Sequence, residues 1–80
     1  MAGIIGASAA EGVRMVGKQG RVTGTIGPGL VGEVMVAIRG GVEAFYAYPS
    51  VPGETFEIGT QVIVVEYHAP RTVYVAHALG

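Results

Sequence analysis

The sequence predicts a small all-β domain, a closed or partly open barrel of five strands. Three observations carry this. Short runs rich in Val, Ile, Tyr and Phe recur from residue 20 to residue 78, separated by glycine- and proline-bearing links. Two adjacent glycines, Gly40 and Gly41, stand between two such runs, the mark of a two-residue hairpin whose turn needs positive φ. The chain has 80 residues, enough for one domain with one thin core. Closing five short strands on themselves then removes or shortens unpaired edges.

The elements follow in order. Residues 1–10 are apolar but fall short of the ~18–20 residues of a membrane span, and they lack the basic segment of a signal peptide. Ser8 and Glu11 match a capping box, so residues 1–16 read as a short helix or a flexible leader, with the barrel over 17–80. Residues 20–26 alternate loosely and predict a curved strand in which Gly24 permits a bulge or bend. Residues 27–32 contain the pattern G-x-G-x-x-G. A dinucleotide site would need a helix opening at its last glycine; a strand follows instead, and the segment reads as a turn.

Residues 33–39 and 42–48 form the hairpin around Gly40-Gly41, in a register that opposes Arg39 to Val42, Val36 to Phe45 and Met35 to Tyr46. Val34, Val36, Ile38, Phe45 and Ala47 then share the core face. Met35, Tyr46 and Tyr48 share the outward one, because side chains alternate with period two. After an irregular link with prolines at 49 and 52, residues 55–58 predict a helical turn or an extended segment, and Gly59 a positive-φ position. Residues 61–67 and 72–78 pair around residues 68–71, opposing Tyr67 to Thr72, Val64 to Val75 and Val62 to His77. Both faces of this hairpin are apolar in the middle, which predicts cover on both sides.

Composition narrows function mostly by exclusion. The net charge is −1, without the basic stripe that duplex nucleic acid requires. There is no cysteine, hence no disulfide framework, zinc ribbon or thiol nucleophile. Only 14% of residues are charged, against roughly 25–35% on a free-standing small domain's surface. Two explanations fit: a β-domain poor in lysine, or a surface covered by a partner, a membrane or further copies of the chain.

Candidate chemistry is sparse. His68 and His77 lie about a strand length apart and do not make the three or four converging ligands of a metal site. Ser8 and Ser50 have no neighbouring base in sequence, and Glu54 and Glu57 flank a turn. The expectation is no enzyme, no cofactor and no metal. The outward residues Met35, Tyr46 and Tyr48 are the candidate partner-binding face, since Tyr and Met are enriched at interfaces. The alternative is a single-strand nucleic-acid-binding barrel stacking bases on tyrosines, which would want a basic groove that the composition does not supply.

Five segments together resemble the soluble C-terminal domain of the NfeD family: Gly17-Lys-Gln-Gly-Arg-Val22, Gly32-Glu-Val-Met-Val with the Gly40-Gly41 hairpin, Ala44-Phe-Tyr-Ala47, residues 58–66 and Thr72-Val-Tyr-Val75. The likeness runs over residues 17–78 and lies in the order of elements more than in any one of them. It implies a five-stranded OB-like barrel normally carried by membrane-spanning helices. It also implies a scaffold or accessory role beside flotillin-like (stomatin/prohibitin-type) membrane proteins, on the cytoplasmic side. Longer relatives add a serine protease domain; this chain has neither that domain nor a membrane span, so membrane contact is expected only through a segment absent from it. The barrel of that family brings no catalytic residues. Small size and apolar surface also fit self-association.

Overall fold

The structure, a computed structural model, describes residues 14–78. Five strands run in order: β1 (Gln19–Gly24), β2 (Gly32–Ile38), β3 (Gly41–Pro49), β4 (Gln61–His68) and β5 (Thr72–His77). They pair β1-β2-β3-β5-β4, and β4 returns to β1 to close the barrel. Every pairing is antiparallel except β3 with β5. This is the all-strand, OB-like barrel that the sequence predicts. The helix expected up to Val16 falls largely outside the described residues, and residues 14–16 carry no helix.

The first strand bends as expected near Gly24. The β1–β2 register shifts between Val22 and Gly24, and the Thr23 hydroxyl donates to Glu33 Oε1 at 2.7 Å across the shift. The strand stops at Gly24, and Ile26 instead forms an isolated bridge with Phe56. Residues 55–58 are thus extended at Phe56. Its side chain is 1% exposed and closes one end of the core together with Ile26. Met15 and Ile38 close the other end, and Val22, Val34, Val36, Phe45, Ala47, Val62, Val64, Val73 and Val75 fill the space between.

Two registers differ from the sequence reading, for different reasons. In the β2–β3 hairpin, Ile38 opposes Gly41, Val36 opposes Glu43 and Val34 opposes Phe45, two residues away from the expected register. The turn is made by Arg39 (φ 46°) and Gly40 (φ 81°), not by the two glycines. Both central residues thus have the positive φ of the hairpin's favoured turn, and Arg39 takes the place that Asn or Gly usually holds. A shift of two leaves side-chain parity unchanged, so the predicted core face survives intact.

In the β4–β5 hairpin, the expected pairs Val62–His77 and Val64–Val75 are present, but the register then slips by one between Val64 and Glu66. Tyr67 opposes Val73 and His68 opposes Thr72. A one-residue bulge exchanges faces beyond it. Glu66, expected on the face of Val62 and Val64, is exposed, and Tyr67, expected on the opposite face, packs against the core with its ring edge-on to Phe45. The outward face of this hairpin is also not covered: Val65 at the bulge is 46% exposed. Gly59 has the expected positive φ of 96°, and its N–H donates to Val22 O at 2.8 Å.

Candidate partner-binding surface

The three outward residues singled out in the sequence lie on one side of the barrel, on adjacent strands β2 and β3. Tyr46 is 59% exposed. Tyr48, two residues on and hence on the same face, is half-buried because its ring packs on Tyr74 at 5.5 Å with a 30° tilt. Met35 is half-buried, opposite Ala44 on one side and Arg21 on the other. It therefore sits diagonal to Tyr46, within reach of a long side chain.

The sequence reading missed what flanks these residues. The parallel β3–β5 pair sets Thr72 beside Tyr46 and Tyr74 beside Tyr48. His68, at the end of β4, packs edge-on against Tyr74 at 5.3 Å and lies 3.3 Å from Glu66 Oε2. An aromatic row, Tyr46, Tyr48, Tyr74 and His68, thus crosses three strands. Carboxylates border it on both sides, because Glu33 opposes Tyr46 on β2 and Glu66 opposes Tyr74 on β4. No local pattern announces a parallel pair joined by a long connection, so Tyr74 and His68 carried no signal of membership.

A shallow groove of about 390 Å³ runs alongside, lined among others by Glu33, Glu43, Tyr46 and Arg71. Arg71 braces its floor. The guanidinium Nη1 donates to Glu43 Oε1 at 3.1 Å and to Ala44 O at 3.0 Å, and lies over the Phe45 ring at 5.8 Å. The Arg71 carbonyl in turn accepts from the Tyr46 N–H at 2.8 Å. These contacts hold the link between β4 and β5 against β3 and fix the backbone beneath Tyr46. The surface can offer stacking faces, hydroxyls and carboxylate acceptors to a partner. Among the described residues, no group of three His, Cys, Asp or Glu could hold a metal ion, and no helix is long and apolar enough to cross a membrane.

Comparison with known proteins agrees with the geometry. The soluble domain of a membrane protein implicated in regulation of membrane protease activity, from Corynebacterium glutamicum, superposes with a TM-score of 0.67 at 24% identity, over 88% of this chain and 97% of that one. The C-terminal domain of stomatin operon partner protein 1510-C from Pyrococcus horikoshii superposes with a TM-score of 0.60 at 29% identity, over 82% of this chain and 91% of that one. No curated protein matches significantly. Residues 19–76 match the family model of the NfeD C-terminal domain, a span that runs from the first residue of β1 to the penultimate residue of β5. With all five strands but for His77 inside that match, the chain belongs to the NfeD C-terminal domain family.

Proposed function

We propose that this barrel is a non-catalytic docking module. It binds a flotillin-like (stomatin/prohibitin-type) membrane scaffold protein through the outward face centred on Met35, Tyr46 and Tyr48, and works at the cytoplasmic side of a membrane. The observation that carries the reading is the open Tyr46 ring beside the packed Tyr48–Tyr74 pair, held on a rigid sheet rather than a loop. Exposed, pre-ordered tyrosines supply large contact area at small entropic cost, which is why such residues dominate interfaces. The stomatin operon partner protein among the structural relatives supports a partner of this class.

Single-stranded nucleic acid fits the same face less well. Its bases would need free ring faces and a cationic track. Here Tyr48 and Tyr74 pack on each other, and Glu33 and Glu66 border the row.

The test is capture of a stomatin-type protein from the same organism by the immobilised chain. Tyr46→Ala with Tyr48→Ala should weaken capture about 10- to 100-fold, the range for loss of interface tyrosines, with the unfolding midpoint changed little. Undiminished capture by the folded double variant removes the proposed face. Tighter, salt-sensitive retention of a single-stranded oligonucleotide would replace the proposal altogether.

A further inference from the structure

The barrel is electrically polarised along its axis. Among the described residues there are five cations, and all but Arg21 collect at one end. Residues 17 and 18 extend β1 backwards beside β4, because Gly17 N–H donates to Val64 O and Val64 N–H to Lys18 O, both at 2.9 Å. Gly20 opposes Val36, so Lys18 runs level with Ile38 and the Arg39–Gly40 turn; the Lys18 N–H donates to Met15 O at 3.0 Å, which keeps Arg14 next to this end. Arg71 lies in the link from β4 to β5 at this same end. Among the described residues two carboxylates lie toward this end, Glu43 and Glu66, and Arg71 pairs with Glu43 at 3.1 Å. Glu66, two residues before the end of β4, contacts His68 at 3.3 Å. Among the described residues, no ion pair engages Arg14, Lys18 or Arg39, and exposed Val16 and Val42 lie beside them.

The opposite end is built from residues 25–31 and 50–60, which contain no Lys or Arg but include Glu54 and Glu57, and Glu33 lies close by at the start of β2. The backbone adds a second, independent observation. Arg39 occupies a left-handed conformation (φ 46°) at the hairpin tip, where Asn or Gly fits better. A cation is held at the outermost point of the end despite that conformational cost, and strain of this kind points to function.

We infer that this end is a docking surface for an anionic phospholipid bilayer. Cations interspersed with small exposed apolar side chains match a headgroup layer of negative potential, where each Lys or Arg contributes on the order of a fivefold gain in partition. The far end is more apolar at Leu30, Val31, Val51 and Ile58, but its carboxylates are repelled by such a surface. In this orientation the barrel stands on the membrane at the end where residues 14–18 lead into β1, and the aromatic row on its side stays open. The inference does not depend on the identity of any protein partner.

The experiment is co-sedimentation of the 80-residue chain with phosphatidylglycerol vesicles and with phosphatidylcholine vesicles at low ionic strength. Binding to the anionic vesicles alone is expected, and added salt should abolish it. Arg14→Gln with Lys18→Gln and Arg39→Gln should lower partition about 100-fold, whereas Glu54→Gln with Glu57→Gln should not lower it. The chain has no cysteine, so Val42→Cys and Val31→Cys each take a single environment-sensitive dye. The dye at 42 should shift to the blue on anionic vesicles and the dye at 31 should not. Equal binding to neutral vesicles, an unaffected triple variant, a response at 31 instead of 42, or preferential retention by a single-stranded oligonucleotide at the same salt would each overturn the inference.

Discussion

Phe56→Ala tests whether the link between β3 and β4 is part of the core or merely joins two strands. Phe56 is 1% exposed, exchanges both backbone hydrogen bonds with Ile26, at 2.9 and 3.0 Å, and carries the His77 ring on it at 4.5 Å. A buried phenylalanine withdraws about 150–250 Å² from water. At about 25 cal/mol per Å² that is on the order of 4–6 kcal/mol as an upper bound. Phe→Ala truncations in cores cost about 3–5 kcal/mol. At about 0.05–0.15 kcal/mol per residue, the 65 described residues correspond to a total stability of roughly 3–10 kcal/mol, so the variant should lose half of its stability or more. Urea unfolding followed by far-UV circular dichroism or tyrosine fluorescence reads this directly, since the chain has no tryptophan. Ile58→Ala is the control. Ile58 sits two residues away, is 66% exposed, and should change stability by about 0.5 kcal/mol or less. Equal midpoint shifts in the two variants would refute the placement of Phe56 as the plug of the barrel.

Gly32→Ala should destabilise by about 1–3 kcal/mol, because a Cβ at Gly32 would run into the Ile26 side chain and lie 3.0 Å from Gly24 O; wild-type stability in denaturant would contradict that close approach. The two hairpin glycines should part company. Gly40→Ala should cost about 1–2 kcal/mol for its φ of 81°, while Gly41→Ala, whose Cβ would meet nothing nearer than Ile38 O at 3.9 Å, should be tolerated. Equal costs at 40 and 41 would restore the register in which both glycines form the turn. Arg39→Asn should raise stability by about 0.5–1 kcal/mol through the more favourable left-handed conformation and lower partition onto anionic vesicles about fivefold. Thermal melts and co-sedimentation of the same preparation check both halves, and a loss of stability would mean that Arg39 is held there by contacts rather than against its preference.

The outward face shows how much of a site local pattern can carry. Met35, Tyr46 and Tyr48 were assignable to it because each lies out of phase with Val34, Val36, Phe45 and Ala47, which are buried. The hairpin register was read two residues out, at a turn that Arg39 shares with Gly40, yet the faces stayed right because they depend on parity alone. Where a bulge changes parity, as at Val65, the same reasoning puts Glu66 on the face of Val62 and Val64 and Tyr67 on the opposite one, and the structure exchanges them. A bulge leaves no period-two signature of its own. Tyr74 and His68 join the row only through the parallel β3–β5 pair, a contact between segments more than twenty residues apart.

Period-two alternation, glycine punctuation and length were enough by themselves to determine an all-β barrel of five strands and most of its inner surface. Those properties arise from neighbours along the chain. The tertiary structure alone decided that Phe56 closes one end, that carboxylates border the tyrosines, and that a chain of net charge −1 has a cationic end. Each of these depends on where closure of the sheet places residues distant in sequence. Net charge adds Arg14, Lys18, Arg39, Glu54 and Glu57 into one number, whereas the closed barrel sets the first three at one end and the last two at the other.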